Sequence, residues 1–322
     1  MNEKASKISA GKIVGFVFLG LFIIFIIGGG CFFGGFFTGS LSSGITGQTT
    51  GFRAGFDSIY LIKLEGVISG TSSSGFFGSA VITPEYVIEQ LKNAEANSSV
   101  KAILIRVNSG GGSAAASQEI FEELKKIQKP VVVSVRDVCA SGAYYIACAA
   151  DKIVANRSSS VGSIGVILQI ANLEELYKKL GIQYTTIKQG KYKDAGSSSR
   201  SITQEEQELL EKQTFKIYEQ FINDVAVSRN IPVEKVKQIA TGWVYLGTEA
   251  LDLGLIDYIG TYKDAEKIAA ELAGIEGTPN IIGKQKINIF DMILNYSFNQ
   301  IAKRILPILI SGSSDFMTVI NN

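Results

Sequence analysis

Apolar and polar positions alternate along the middle of the chain with two periods, one typical of strands and one typical of helices. Short apolar runs rich in β-branched residues predict strands at residues 58–68, 101–107, 131–135, 151–155 and 182–187. Amphipathic stretches predict helices at residues 83–97, 114–126, 173–180, 203–228 and 232–240. This alternation indicates an α/β fold with a mostly parallel sheet. Functional sites in such folds gather at the carboxyl ends of the strands.

A longer apolar run precedes the first strand. Residues 13–37 carry no charge, and Lys4, Lys7 and Lys12 lie before them. A run of this length is enough to span a bilayer, and the basic end is expected to stay in the cytoplasm. The sequence therefore predicts a cytoplasmic N-terminus at residues 1–12, a transmembrane anchor at 13–37 and a single-pass protein of the cell membrane whose bulk is extracytoplasmic. The alternative is a cleaved signal peptide, whose apolar region would normally be shorter.

The composition changes twice more along the chain. Residues 38–56 are rich in Gly, Ser and Thr, which is typical of a flexible stalk. Residues 57–270 form the predicted folded domain, and residues 271–322 form a C-terminal extension. Within that extension, residues 286–310 have one apolar helical face but are too charged and too short for a second span. That face could contact an oligomer partner or the membrane surface, or pack as a plain core helix.

Composition and charge exclude several classes of function. The 322 residues include 31 basic and 30 acidic side chains, so no excess positive charge favours nucleic acid as a partner. The three cysteines have no metal-ligand spacing, and Cys139 and Cys148 are predicted to be small buried hydrophobes. The chain contains no histidine. A hydrolase with this sequence therefore lacks the base of a Ser/His/Asp site and must use Lys, Asp, Glu or Tyr.

Ser141 lies where the apolar run that begins at Val131 turns into a small, helix-compatible segment. Rigid elements on both sides would hold its hydroxyl near the unpaired N–H groups of a helix start, which favour developing negative charge. That position suits a nucleophile. It also suits an ordinary N-cap, because serine is a preferred capping residue.

Two other loops hold candidate chemistry. Gly110, Gly111 and Gly112 lie between a predicted strand and a predicted helix, where bare backbone N–H groups could bind an oxyanion or simply form a turn. Lys193 lies in a turn-rich segment, and on its position alone it fits a solvated surface charge. An ordinary lysine, with a pKa of about 10.4, becomes a useful base only when desolvated or placed beside another cation.

Four blocks in this order resemble the short, single-copy form of signal peptide peptidase A: NSGGG from Asn108, ASGAYYI from Ala140, GSIGV from Gly162 and KYKD from Lys191. The resemblance covers about residues 59–259, including GWVYLGTEALDLGLID from Gly242. It implies a membrane-anchored serine peptidase with a crotonase-type fold like that of the Clp protease. In two places the chain departs from the family pattern: Gly110 stands where the family usually has proline, and Ala143 where it usually has glycine.

The resemblance also implies roles for individual residues. Ser141 would be the nucleophile and Lys193 the general base, with Ser163 orienting the lysine and the N–H groups of Gly112 and Gly142 forming the oxyanion hole. No metal or cofactor is implied. The expected partners are hydrophobic peptides such as cleaved signal peptides, the membrane, and further copies of the chain in an oligomer with shared active sites. The alternatives are a catalytically inactive membrane scaffold of the same fold and a crotonase-type acyl-CoA enzyme.

Overall fold

The computed structural model describes residues 57–71 and 81–283. The strands in this part are β1 (Ser58–Glu65), β2 (Val67–Ile68), β3 (Val81–Ile82), β4 (Val100–Ser109), β5 (Val131–Ala140), β6 (Lys152–Ala155), β7 (Ser160–Gly162), β8 (Val244–Leu246), β9 (Tyr258–Ile259) and β10 (Asn280–Ile282). The helices are α1 (Pro84–Ala96), α2 (Ala114–Leu124), α3 (Gly142–Ala147), α4 (Glu174–Lys179), α5 (Gln204–Arg229), α6 (Val233–Ile239), α7 (Gly247–Asp252) and α8 (Tyr262–Leu272).

A mostly parallel sheet organises the domain, as the alternation of strands and helices predicts. Its strand order is β10-β1-β4-β5-β6-β9, and every pair along this path is parallel. The short strand β7 pairs in parallel with the far end of β5, and β8 pairs antiparallel with β7. Strands β2 and β3 form a separate parallel pair beside the sheet. The mixed α/β class is therefore confirmed.

Both faces of the sheet are buried, which explains why its central strands are continuous apolar runs rather than alternating ones. On β4, Ile103 and Ile105 face the larger core with helices α1, α2 and α3, while Ala102 and Leu104 face a smaller core. Helix α8 covers that smaller core with three alanines. Because helices cover both faces, the apolar side chains of the central strands are buried. The ends of the strands stay uncovered and can carry a site.

Local signals in the sequence set where the helices begin. The Thr83 hydroxyl accepts a hydrogen bond from the backbone N–H of Tyr86, and Pro84 occupies the first turn of α1. The Thr203 side chain and the Glu206 carboxylate form a reciprocal capping box at the start of α5. The structure therefore confirms both helix starts that the sequence predicts.

A buried ion pair fixes the C-terminal end of α5 to the core. Arg229, with 7% of its side chain exposed, donates to the Asp257 carboxylate at 3.0 Å, and the same carboxylate accepts the backbone N–H of Ile153 at 2.7 Å. Arg229 also donates to the carbonyl of Gly254. Because the pair is satisfied by these additional hydrogen bonds, losing one partner would leave a buried charge without compensation.

The structure departs from the predicted secondary structure in one important place. The predicted strand at residues 182–187 is wrong: this segment has no strand partner in the described part of the chain. Its apolar residues are exposed instead, and the Ile187 side chain is 92% exposed. The segment therefore has the composition of a strand, but no described strand lies beside it to form hydrogen bonds with it. As a consequence, the loop that carries Lys193 does not follow a strand. The glycine loop at 110–112, Ser141 and Ser163 do follow strands, namely β4, β5 and β7.

Other predictions fall partly or wholly outside residues 57–71 and 81–283. The anchor at 13–37, the stalk at 38–56 and the amphipathic stretch at 286–310 lie outside them. In the described residues, no helix is both long and apolar enough to cross a membrane. The predicted limits of the folded domain stay predictions, and β10 adds residues 280–282 to the edge of the main sheet. The buried positions predicted for Cys139 and Cys148 are confirmed, and burial raises the pKa of both thiols.

Candidate active site

Ser141 lies in a strained turn between β5 and α3. Its φ of 53° and ψ of −126° belong to a region that residues other than glycine rarely occupy. The predicted alternative, an ordinary N-cap, is wrong, because the Ser141 side chain makes no capping hydrogen bond. In the described part of the structure, its half-buried hydroxyl has no hydrogen-bond partner at all. The turn therefore presents a rigid, unengaged hydroxyl at the carboxyl end of β5.

The backbone around Ser141 is held from both sides. Its own N–H donates to the carbonyl of Gly162 at 2.7 Å, and its carbonyl accepts the N–H of Tyr145 at 2.9 Å. Every residue of the short helix α3 is buried, and the Tyr144 hydroxyl inside it donates to the carbonyl of Leu255 at 2.8 Å. This packing compensates for the strained conformation, which costs on the order of 1–3 kcal/mol.

A bulge in β5 determines where Ser141 emerges from the sheet. Val107 of β4 pairs with Val135 and Ser109 pairs with Cys139, so β5 contains two more residues than β4 over this interval. Two side-chain amides fill the resulting gaps. Asn108 accepts the N–H of Val138 at 3.1 Å. From the other side, Asn156 donates to the carbonyls on the bulge, at 3.2 Å from each of Val135 and Arg136.

The glycine loop after β4 lies directly against the Ser141 turn. A Cβ on Gly111 would lie 2.7 Å from the backbone nitrogen of Gly142, and a Cβ on Gly142 would lie 3.5 Å from the backbone nitrogen of Gly112. The backbone nitrogens of Gly112 and Gly142 thus both lie close to the contact between the loop and the turn. Neither donates a hydrogen bond to another group in the described part of the chain. Free amides beside an unengaged hydroxyl are the components that an oxyanion hole requires. The role of these two amides stays a prediction.

The glycines of this loop differ in how much space a side chain would have at each position. Gly112 has a φ of +156°, and a Cβ there would lie 2.0 Å from the carbonyl oxygen of Ile68, which is a severe clash with backbone. Gly110 has open space around it. The family residue proline is therefore not needed at 110 to fill a gap. Glycine is needed at 112 for the loop to pass beside Ile68, and at 111 for it to approach the Ser141 turn.

If the Gly112 N–H is an oxyanion donor, as the resemblance implies, Gly112→Ala should displace it and reduce peptide cleavage by about 10²-fold or more. Gly110→Ala, in the same loop and with the same change in side chain, should stay within about twofold of the unmodified protein. The measurement is kcat for both variants, with circular dichroism to confirm folding. Equal activity of the two variants would show that the loop does not supply an oxyanion donor.

Ser163 follows β7 and lies beside the Ser141 turn. Because Ala140 pairs with Gly162, the two serines come directly after paired residues at the ends of adjacent strands. Ser163 also has a positive φ, 51°. Its hydroxyl donates to the carbonyl of Gly242 at 3.1 Å, so its oxygen lone pairs remain available to accept a hydrogen bond from an amine. Its role as the residue that orients the lysine stays a prediction.

Lys193 lies in a separate, exposed turn. Two backbone hydrogen bonds build this turn, from the N–H of Lys193 to Gly190 and from that of Ala195 to Tyr192. The Lys193 ammonium forms no hydrogen bond or ion pair with any described residue, and none joins it to Ser141. A single chain therefore brings together Ser141, Ser163 and the amides of Gly112 and Gly142, and it leaves Lys193 outside this group.

The segment between Ser163 and Lys193 exposes an unusual amount of apolar surface. Ile167 is 84% exposed. The other large apolar or aromatic side chains of this segment with 37% or more exposure are Leu168, Ile170, Leu176, Leu180, Ile182, Tyr184, Ile187 and Tyr192. Trp243, whose carbonyl accepts the N–H of Ser163, is 66% exposed. Contiguous apolar surface of this kind marks a protein or membrane contact rather than an ordinary solvated loop.

Sequence reasoning missed the clamps around this site. The sequence pattern predicts no role for Asn108 beyond its place in the NSGGG block and none for Asn156. The available signal is a polar amide at the end of an apolar strand, which is typical of a side chain that binds the backbone. A network of Asp194, Arg200 and Glu206 next to Lys193 was also missed. Its members are six residues apart along the chain, a spacing that matches no regular period.

Comparisons with known proteins identify relatives of this chain. Residues 123–276 match the family described as Peptidase family S49. A candidate protease of Synechocystis is 41% identical over 211 residues, which cover 65% of this chain and 73% of that protein. The chloroplastic serine protease SPPA of Arabidopsis thaliana is 38% identical over 236 residues, 72% of this chain but only 35% of its own length. Among solved structures, a mutant of the membrane-bound stomatin-specific protease 1510-N is similar with a TM-score of 0.48 and 15% identity, over 71% of this chain and 98% of that one.

Proposed function

This chain belongs to peptidase family S49 and is a serine peptidase, and from that premise we propose that Ser141 is its nucleophile and Lys193 its general base. The observation that carries the proposal is the unengaged Ser141 hydroxyl, held in a strained turn beside the free amides of Gly112 and Gly142. With no histidine in the chain, lysine is the base that best complements this serine.

The proposed reaction is acyl transfer. The neutral amine of Lys193 takes the proton of the Ser141 hydroxyl as the oxygen attacks a peptide carbonyl. The amides of Gly112 and Gly142 bind the oxyanion of the tetrahedral intermediate. The lysine ammonium then gives its proton to the leaving amine, and water, activated by the same lysine, releases the acyl-enzyme. Because only the neutral amine can act as the base, the rate should rise with pH.

We propose further that the Lys193 of each site comes from a neighbouring copy of the chain. In the described residues Lys193 is exposed and makes no hydrogen bond with the serine, so a single chain leaves the site incomplete. The apolar surface at residues 167–187 is available to bury against another copy. That burial would desolvate the lysine, which is what a lysine base requires. It would also create the oligomer with shared active sites that the sequence predicts.

The proposed substrates are cleaved signal peptides and other hydrophobic peptides, and the proposed location is the cell membrane with the catalytic domain extracytoplasmic. Three features support this: the uncharged run at residues 13–37, the basic residues that precede it, and the apolar surface around the site. A crotonase-type fold like that of the Clp protease is part of the same proposal. The parallel order of β1, β4, β5 and β6 supports it.

We expect the full-length protein in detergent to cleave a fluorogenic peptide with a leucine-rich core. A matched peptide in which serines replace those leucines should be cleaved at least about tenfold more slowly, because each buried apolar side chain contributes on the order of 1–3 kcal/mol to binding. The measurement is kcat/KM for the pair. Cleavage of neither peptide, by a folded and oligomeric protein, would instead support the inactive scaffold. Equal cleavage of both would remove the preference for hydrophobic substrates.

A further inference from the structure

We infer that Arg200 is a positioning residue for the catalytic lysine: it fixes the turn that carries Lys193 to the start of α5 and balances the negative charge beside it. The inference deepens the proposed function and rests on Lys193 being the base. The turn at residues 190–196 contains no helix or strand, and the Lys193 ammonium makes no hydrogen bond or ion pair with any described residue. Whatever holds Lys193 in place must therefore act through its neighbours.

Arg200 contacts the residue directly after Lys193 in three ways. Its Nε donates to Oδ2 of Asp194 at 2.9 Å, and its Nη2 donates to Oδ1 at 2.9 Å. The same Nη2 lies 3.2 Å from the backbone carbonyl oxygen of Asp194. A guanidinium thus binds both the side chain and the backbone at this position. Such a bidentate pair fixes direction as well as distance, so the backbone that leads into Lys193 has a defined orientation.

The other edge of the guanidinium binds the start of α5. Arg200 donates to the two carboxylate oxygens of Glu206 at 2.9 and 2.5 Å. The Glu206 side chain is only 4% exposed and also accepts the backbone N–H of Thr203, as part of the capping box. Further along the same helix, Phe221, Ile222 and Val225 are buried in the core. Arg200 therefore connects the lysine turn to an element that the core holds in place.

The same contacts set the local charge. Asp194 and Glu206 are negative, and Arg200 and Lys188, which also binds Asp194, are positive, so the cluster is neutral with Arg200 present. Without Arg200 the cluster has a net charge of −1 next to Lys193. A negative charge favours the ammonium over the amine, which opposes the function of the lysine as a base.

The remaining ionisable groups around the turn do not provide this balance. Lys191 pairs with Glu205, and Tyr192 donates to the same carboxylate. Glu174, which pairs with Lys178, accepts hydrogen bonds from Ser201. Arg200 holds the pKa of Asp194 below its usual range and lowers that of Glu206 to about 2. The two carboxylates therefore stay ionised at neutral and alkaline pH and do not themselves create a change of rate in that range.

The test is the pH dependence of kcat for Arg200→Gln in the full-length oligomeric protein. We expect kcat to fall by about 10- to 100-fold, as for a misplaced catalytic group, and the pH of half-maximal kcat to move up by about one unit, as expected for one uncompensated charge nearby. KM should stay within about twofold, because Arg200 does not contact the peptide. Arg200→Lys, which keeps the charge but cannot bind two carboxylates bidentately, should restore the pH midpoint and only part of kcat.

Two controls separate positioning from stability. Arg229→Gln removes the buried arginine at the other end of α5, so it should lower the melting temperature without moving the pH midpoint. Adding Glu206→Gln to Arg200→Gln returns the cluster to zero net charge and should move the midpoint back, while glutamine keeps the capping box. An unchanged profile in Arg200→Gln, or the same change in Arg229→Gln, would overturn the inference. If Arg200→Gln does not fold, a wild-type kcat in Arg200→Lys would overturn it. Full activity of Lys193→Ala would instead refute the proposed function.

Discussion

Replacement of either Ser141 or Lys193 by alanine should abolish peptide cleavage while leaving the fold intact. Each substitution removes a group with no substitute in the site: the serine supplies the bond-forming oxygen, and no histidine exists to replace the lysine. We expect kcat to fall by about 10⁴-fold or more in each variant, as for other nucleophile–base pairs. The double variant should be no less active than either single one, because the two residues act as a unit.

Lys178→Ala is the matched control for Lys193→Ala. Lys178 lies on α4 in the same part of the chain, is exposed, and pairs only with Glu174 and Glu175. Exposed pairs of this kind contribute little to stability, so this variant should keep nearly full activity. Near-normal hydrolysis by Ser141→Ala or Lys193→Ala would refute the assignment of that residue, once contamination of the preparation by active protein is excluded.

Mixing the two inactive variants should restore activity if Ser141 and Lys193 meet across a subunit boundary. When Ser141→Ala and Lys193→Ala chains assemble randomly in equal amounts, a shared site receives an intact serine with a chance of one half and an intact lysine with a chance of one half. About a quarter of the sites should then be complete. Sites built within one chain would all be defective. The expected result is therefore about a quarter of the specific activity of the unmodified protein.

The structural reason for this prediction is the position of Lys193 outside the group around Ser141. The exposed side chains of Ile167, Ile187 and Trp243 have no cover in the described chain, and burying them in an oligomer would stabilise the assembly. Co-assembly of the two variants must be shown by size and by composition, with a different tag on each chain. No recovery of activity in confirmed mixed oligomers would contradict the shared site.

The sequence predicts the core of this domain well because its signals are local. Strands β4, β5 and β6 each contain an unbroken apolar run, at residues 102–105, 131–133 and 153–155. Thr83 and Thr203 mark helix starts with the hydrogen bonds that a cap requires. Ser141 could be placed at a strand-to-helix junction for the same reason. Its strained backbone could not be predicted, because the strain is imposed by the packing of α3 and by the hydrogen bond to Gly162.

The features that the sequence does not predict have a common physical cause: each depends on contacts with residues that are distant along the chain. Residues 182–187 have strand composition, but a strand forms only where another strand can pair with it, and here none does. The clamp from Asn108 to the β5 bulge joins residues 30 positions apart. The role of Arg200 depends on two carboxylates on either side of it in sequence and on the capping box at Thr203. No periodic pattern encodes such contacts, so the sequence could identify Lys193 by resemblance but could not show what positions it.

The most direct test of Ser141 as the nucleophile is to label the purified full-length protein with a fluorophosphonate and to map the modified peptide by mass spectrometry. A fluorophosphonate forms a covalent bond only with a serine that a nearby base activates. The account predicts one adduct per active site, located on Ser141, absent from Ser141→Ala and formed at least about 10²-fold more slowly in Lys193→Ala. An adduct on a different serine, or equal labelling of Lys193→Ala and the unmodified protein, would contradict it.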